Sequence, residues 1–197
     1  MNIWVATQNS HKVEEISSIL SPIKVKSFLD LKNPPDVDEN GSTYSENALI
    51  KAKALYDIVH EPVFADDSGL EVDALDGKPG IHSARFSGPD TNHARNVAKM
   101  LEVMKDVPDE KRTARFRCVI VYIDEKGKTH EFIGILEGKI GYKPLGNGGF
   151  GYDPIFISKE TGECFALMKE EKNTVSHRAK ALNKLLIYLK INGFVPL

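Results

Sequence analysis

The chain has 197 residues, enough for one sizeable core and too few to require two independent domains. Its 26 lysines and arginines nearly balance its 28 aspartates and glutamates, for a net charge of −2 with no long block of either sign, which argues against a sequence-independent grip on nucleic acid or an anionic membrane. Cys118 and Cys164 lie far apart without C-x-x-C spacing, the N-terminus lacks the pattern of a secretory signal, and no segment approaches the ~18 consecutive apolar residues of a membrane span. The expectation is a soluble, cytoplasmic, single-domain protein, residues 1–197, that handles a small molecule.

Ile3 to Ala6 predicts a short buried strand, Thr7-Gln8-Asn9-Ser10 a polar loop, and Val13, Ile16, Ile19 and Leu20 an amphipathic helix. Asn9 or Ser10 would cap that helix, and the N–H groups of its first turn would make an anion site. His11 and Lys12 stand where the helix dipole disfavours cations, so Lys12 is either a slightly unfavourable surface lysine or part of a phosphate site. The stretch is not the G-x-x-x-x-G-K-[ST] loop. Lys24 to Phe28 alternates like an edge strand, and Pro34-Pro35 forces an extended connection carrying Asp36, Asp38 and Glu39, which is either merely solvated or available to a metal. Thr43-x-x-Glu46 is a capping-box signature, and the helix behind it sends Ala48, Leu49, Ala52, Leu55 and Val59 inwards.

At Val63 to Gly69 an apolar run meets two adjacent carboxylates. Asp-Asp-Ser-Gly is good composition for a surface turn. Alternatively, a buried strand ends here and delivers acids to a cleft, since ligands of open α/β sheets sit beyond the carboxyl ends of strands. Because side chains alternate along a strand, only one of Asp66 and Asp67 would then face the cleft. Gly77 to Gly88, with three glycines, a proline, His82, Arg85 and Phe86, cannot be regular throughout and is long enough to be functional. Asp90 is placed to cap a helix with Val97, Met100, Leu101 and Met104 on one face. Arg115 to Ile123 and Glu131 to Gly141, joined through Asp124-Glu125-Lys126-Gly127, read as an antiparallel hairpin, which makes the fold mixed. Four glycines between Gly146 and Pro154 let the backbone approach a ligand, and Phe150 among them can stack on a base. The last helix begins near Ser176, sends Ala179, Leu182, Leu186 and Leu189 inwards and ends at Gly193. Its start, Ser176-His177-Arg178 with Lys172 upstream, again crowds cations at a positive helix end and points to a second ligand-facing pole.

Thr7-x-Asn9-x-x-Lys12, Phe64-Ala-Asp-Asp-Ser-Gly-Leu70, Pro79-Gly-Ile-His-Ser-Ala-Arg-Phe-Ser-Gly88, Gly148-Gly-Phe-Gly-Tyr-Asp-Pro154 and Ser176-His-Arg178, in this order, resemble the inosine/xanthosine triphosphate pyrophosphatase family, also called Ham1-like. The resemblance implies an ITPase/Maf-like α/β fold, elongated and two-lobed around one cleft, with a central mixed β-sheet flanked by helices, usually as a homodimer. It implies hydrolysis of ITP, dITP and XTP to monophosphate and pyrophosphate, with Mg²⁺ as cofactor. Asp67 would be the base and, with Glu39, a metal ligand, while Asp66 shares either role or orients its neighbour. Thr7, Gln8, Asn9, Ser10, His11 and Lys12 would hold the triphosphate. Ser68, Phe150, Gly151, Tyr152, Asp153, Lys172, His177 and Arg178 would bind the rest of the substrate.

Base choice can be argued from donors and acceptors. Hypoxanthine and xanthine offer an acceptor at O6 and a donor at N1–H; adenine offers the reverse. Lys172 and Arg178 only donate and an ionised Asp153 only accepts, so adenine would leave two mismatches. Guanine shares O6 and N1–H, and its exclusion would have to act on the 2-amino group. Two other readings stay open: a pyrophosphatase with another base preference, and a non-catalytic nucleotide sensor, which would have no need of the Asp66-Asp67 pair with Glu39. Nucleic-acid binding finds no support in the charge.

Overall fold

The computed structural model describes residues 2–89, 92–146, 148–168 and 172–194. In chain order the main elements are β1 (Asn2–Val5), α1 (Ser10–Leu20), β2 (Lys24–Ser27), α2 (Tyr44–Val59), β3 (Val63–Val72), α3 (His93–Val103), β4 (Thr113–Ile123), β5 (Thr129–Ile140), β6 (Phe156–Ser158), α4 (Lys172–Val175) and α5 (His177–Ile191). The strands form one sheet in the order β2-β1-β3-β4-β5-β6. β1 runs parallel to β2 and β3, whereas β5 and β6 are antiparallel, so the sheet is mixed, as expected. The chain divides into two compact units: Met1–Asp67 with Cys118–Gly134 and Arg178–Leu197, and Ser68–Arg117 with Ile135–His177.

In the first unit the two-residue period of the strands decides what packs where. Ile3, Val5 and Phe64 point to one face, where they meet Ile16 and Leu20 of α1 and Leu182, Leu185 and Leu189 of α5. Trp4, Ala6, Val63 and Ala65 point to the other face and meet Ala52 and Leu55 of α2. Continuing the alternation, Asp66 belongs to the α1/α5 face and Asp67 to the α2 face.

The helix starts follow capping chemistry. Asn9 caps α1, its side chain accepting from Lys12 N. Thr43 caps α2 by accepting from Glu46 N at 3.1 Å, but the Glu46 carboxylate reaches back to Ser42 N at 2.6 Å, one residue earlier than a standard box. At the far end of α5, Gly193 adopts φ +74°, and Phe194 N bonds Leu189 O at 2.9 Å while Gly193 N bonds Lys190 O at 3.0 Å, a Schellman stop.

Three expectations need correction. β3 does not stop at the aspartates but runs on through Ser68 and Gly69 to Val72, which also removes the surface-turn alternative. What stops is its parallel neighbour: β1 pairs with β3 only at Trp4↔Val63 and Val5↔Phe64, so the acids lie beyond the carboxyl end of β1. Asp90 falls outside the described residues, and Asn92 caps α3 by accepting from Arg95 N at 2.9 Å. Finally, the inward stripe of α5 runs through Ala181 and Leu185 as well, with Leu186 only half-buried.

The second unit has its own core, in which Leu70 and Val72 of β3, Met100 of α3 and Met104 just beyond it, and Phe116 of β4 meet Tyr152, Phe156 and Phe165. At its edge Arg112 is fully buried and donates to Ile140 O, Met104 O, Val107 O and Gly141 O at 2.5–3.1 Å, with the Tyr142 ring 4.1 Å from the guanidinium. A planar fork of five donors suits this ring of carbonyls as no other side chain does. Arg112→Leu, which strands those carbonyls, is expected to lower stability by on the order of 3–5 kcal/mol, and Arg112→Lys to recover only part, measured by urea denaturation.

Candidate active site

Between β1 and α1 the chain makes a tight turn: Asn9 N donates to Thr7 Oγ1 at 3.2 Å, Ala6 N to Phe64 O at 2.8 Å and Gln8 Nε2 to Pro35 O at 3.2 Å. Gln8, Asn9, Ser10 and His11 are exposed and Thr7 is half-buried. Lys12 turns inward, and its Nζ lies 3.0 and 3.2 Å from the two oxygens of Asp66. The cation at the positive helix end therefore has a protein carboxylate as its partner.

Asp66 has a side chain only 1% exposed, and Lys12 is not its only partner. Arg178 donates Nε and Nη2 to Asp66 Oδ2, both at 3.2 Å, and Nη1 to Glu15 Oε2 at 2.6 Å. Burial alone would raise the Asp66 carboxyl, but Lys12, Arg178 and Lys51 outweigh it and hold the group far below the ordinary carboxylate range. These cations thus favour the ionised form of Asp66.

Asp67, one residue on and on the opposite face, meets α2. Asn47 Nδ2 donates to its Oδ2 at 3.3 Å, and Lys51 Nζ stands 3.5 Å from Oδ1 and 2.9 Å from Glu39 Oε2. For Asp67 burial wins: with Glu39 adding to it, it raises the carboxyl above its usual range against the pull of Lys51 and Asn47. Lys51 keeps its proton more tightly than usual, because Asp67, Asp66 and Glu39 together exceed its own burial penalty. Two adjacent carboxyls are thus pushed apart, one fixed as an anion and one inclined to take a proton, an arrangement that separates acid–base roles in hydrolytic sites.

Asn47, Lys51 and Glu15 were not singled out from the sequence. Asn47 and Lys51 did carry a signal, since at i and i+4 they flank Ala48 and Ala52 on the inward side of α2, where a polar residue calls for an explanation. Glu15 carried none, because its partner lies 163 residues away.

The second unit groups other expected residues. Asp153 Oδ2 accepts from Phe150 N at 2.8 Å and from Lys172 Nζ at 2.7 Å. Lys172 Nζ also lies 4.7 Å from the centre of the Phe150 ring and 5.0 Å from that of Phe165. A Cβ on Gly149 (φ +76°) would fall 2.1 Å from the Asp153 carboxylate, so this turn requires glycine. Gly151 has φ +64°, and Tyr152 is buried with its hydroxyl donating to Ser83 O at 2.8 Å. Ser68 lies half-buried in β3, and the His177 ring is buried and stacked on Phe116 at 4.9 Å and 16°. Asn147 of the glycine-rich loop lies outside the described residues. Among the described residues no helix is long and apolar enough to cross a membrane.

Residues 3–188 match the Ham1 family. The dITP/XTP pyrophosphatase of Geobacillus kaustophilus is 50% identical over 186 residues, covering 93% of this chain and 91% of that protein. That of Geobacter sulfurreducens is 48% identical over 192 residues, 96% of each chain. Among solved structures, the Ham1 protein of Staphylococcus aureus superposes with a TM-score of 0.87 at 36% identity, covering 98% of this chain and 100% of that one.

The two aspartates make opposite predictions for stability. Asp66→Asn leaves the buried Arg178 with Glu15 alone and the part-buried Lys12 without its anion, and is expected to cost about 3–5 kcal/mol at pH 7, whereas Asp67→Asn is expected to stay within about 1 kcal/mol of the parent. Since the folded pKa of Asp66 lies below its unfolded value of about 3.9, its stabilisation is complete above that pH and is lost as pH falls below it. The gap between parent and Asp66→Asn in chemical denaturation should therefore narrow below about pH 4.

Proposed function

The chain belongs to the Ham1 family, and we propose that it hydrolyses deaminated purine nucleoside triphosphates, ITP, dITP and XTP, to the monophosphate and pyrophosphate. The observation that carries the reading is geometric: two adjacent carboxylates of one strand face opposite layers, Asp66 held by Lys12 and Arg178 at 3.0–3.2 Å and Asp67 gathered with Glu39 on Lys51 Nζ at 3.5 and 2.9 Å. A binding module would have no need of this pair of aspartates with Glu39 beside it.

Phosphoryl chemistry asks a protein for position and charge more than for covalent help. In this proposal the turn of residues 7–12 receives the phosphates through Thr7, Gln8, Asn9, Ser10 and His11. Lys12, steered by Asp66, offers them its remaining ammonium donor. Asp67 takes the proton of the water whose attack opens the α–β anhydride, pyrophosphate leaves, and Asn47 and Lys51 hold the Asp67 carboxylate in place. Asp67 and Glu39 also fit a Mg²⁺ ion. They are hard oxygen donors already converging on one positive charge, Lys51 Nζ, at 3.5 and 2.9 Å, and Mg²⁺ needs only one or two carboxylates beside water and substrate phosphates. Bound there, the ion would neutralise phosphate charge.

For the base we assign Lys172 to O6 and Asp153 to N1–H, with Phe150 as the stacking ring, and with Ser68, Gly151, Tyr152 and His177 shaping the site. Adenine then meets donor against donor and acceptor against acceptor. Arg178 has its donors on Asp66 and Glu15, so its part is to hold Asp66. A homodimer acting on free nucleotides in the cytoplasm, without nucleic-acid or membrane partners, completes the reading.

The test is product analysis of ITP, XTP, GTP and ATP with Mg²⁺, quantifying mono- and diphosphates, pyrophosphate and phosphate. IMP with pyrophosphate from ITP, and little from ATP or GTP, is expected, and Asp67→Asn should lower kcat by about 10²–10⁴. IDP with phosphate would sink the mechanism, equal cleavage of ATP the base assignment, and ITP bound without turnover would favour the sensor.

A further inference from the structure

We propose that Ser83 is a positioning residue for this reaction, fastening the Phe150–Asp153 loop to β3 through both its hydroxyl and its carbonyl. The inference rests on the reading of that loop as the one that contacts the base. Ser83 lies in the 3₁₀ turn Gly80–Arg85, part of the glycine-rich segment that the functional reading otherwise leaves unused, and is only 8% exposed. Its hydroxyl donates to Gly80 O at 2.6 Å and accepts from Leu70 N at 2.8 Å. Its carbonyl accepts from Tyr152 Oη at 2.8 Å and from Asn96 Nδ2 at 3.4 Å. Asn96 in turn donates to Ala84 O at 2.9 Å and accepts from Ser87 N at 2.8 Å, which fixes the turn on α3.

Four hydrogen bonds thus end on one serine. Leu70 stands in β3, the strand that also carries Asp67. Tyr152 is 3% exposed and sits in the second unit's core, so its hydroxyl is committed to Ser83 and not to a ligand. The next residue, Asp153, organises Phe150 and Lys172. A serine hydroxyl has one hydrogen to give and accepts from others, and here both capacities are filled by main-chain groups, of which the Leu70 N–H, in a buried bond, would lose its partner without it. Ser83 therefore seats the loop on β3 without touching substrate. Loosening it lowers the fraction of protein whose loop is ready for the base and weakens apparent binding by that fraction, while the groups around Asp67 keep their chemistry.

The experiment is steady-state kinetics with ITP on the whole protein and on Ser83→Ala, Ser83→Thr, Tyr152→Phe and the Ser83→Ala/Tyr152→Phe double variant. Ser83→Ala and Tyr152→Phe should each raise KM about tenfold with kcat within about threefold. Ser83→Thr, which keeps the hydroxyl, should stay within about twofold in KM. The double variant should fall well short of the product of the single effects, because both act through one connection. Folded variants with the parent KM would overturn the proposal, as would a fall in kcat at unchanged KM or effects that simply multiply. If Ser83→Ala does not fold, Tyr152→Phe, which removes a single donor, decides by the same split. If the parent cleaves another triphosphate in place of ITP, the substrate reading fails alone, and the split measured on that triphosphate judges Ser83.

Discussion

A carboxylate buried in the middle of a strand is the constraint from which the first unit's active features follow. Asp66 carries a full charge at 1% side-chain exposure, and an isolated ion in such a place costs several kcal/mol. The cost is met when cations reach it, first of all from the layer it faces. Lys12, in the first turn of α1, and Arg178, at the start of α5, are those cations. Arg178 would then be over-supplied with charge for one carboxylate that Lys12 also holds, and Glu15, one turn along α1 from Lys12, completes a neutral quartet. The demand of one side chain thus fixes where two helices begin relative to β3, and it places the residue 7–12 turn beyond the end of β1.

The layers were legible in the sequence because hydrophobic periodicity is local. Ile3 and Val5 against Trp4 and Ala6, and Phe64 against Val63 and Ala65, already state that β1 and β3 are covered on both faces. The charge pairs were not legible, since nothing local records them: Lys12 and Asp66 are 54 residues apart, and Arg178 and Asp66 are 112 apart. Lys12 and Arg178 each look, in the sequence, like a cation misplaced at a positive helix end, which points to a bound phosphate at the first and a second ligand-facing pole at the last; the structure gives both cations a protein partner. The anion in both cases is Asp66. Likewise the run Val63 to Asp67 looked like a strand that ends, because the loss of apolar residues marks the end of burial in most strands. Here burial continues with charged residues, and only the neighbouring β1 ends.

The glycine-rich loop shows another limit of reading by composition. Four glycines there suggest freedom for a ligand to approach, yet Gly149 is required by a protein group, the Asp153 carboxylate, whose hold on Phe150 N would be blocked by any Cβ. Phe150 stands out in the sequence as an aromatic ring among glycines. That Lys172 stands near its face and on Asp153 at once depends on a contact 19 residues along the chain, and it makes ring, cation and carboxylate a single unit rather than three separate contributors.

Why two adjacent aspartates carry such different environments follows from the pleat alone. Successive side chains in a strand point to opposite faces, so Asp66 and Asp67 cannot share one set of neighbours. Asp66 receives the layer of α1 and α5, which brings two cations, and is locked as an anion. Asp67 receives the layer of α2, which brings one amide and one ammonium already engaged by Glu39, too little to offset its burial. A slip of β3 by one residue would exchange the two environments and put every apolar neighbour on the wrong face. The buried alternation of Val63, Phe64 and Ala65 that sets the strand's register therefore also decides which carboxyl is fixed and which can accept a proton, so the chemistry of the pair is written into the packing of the residues before it.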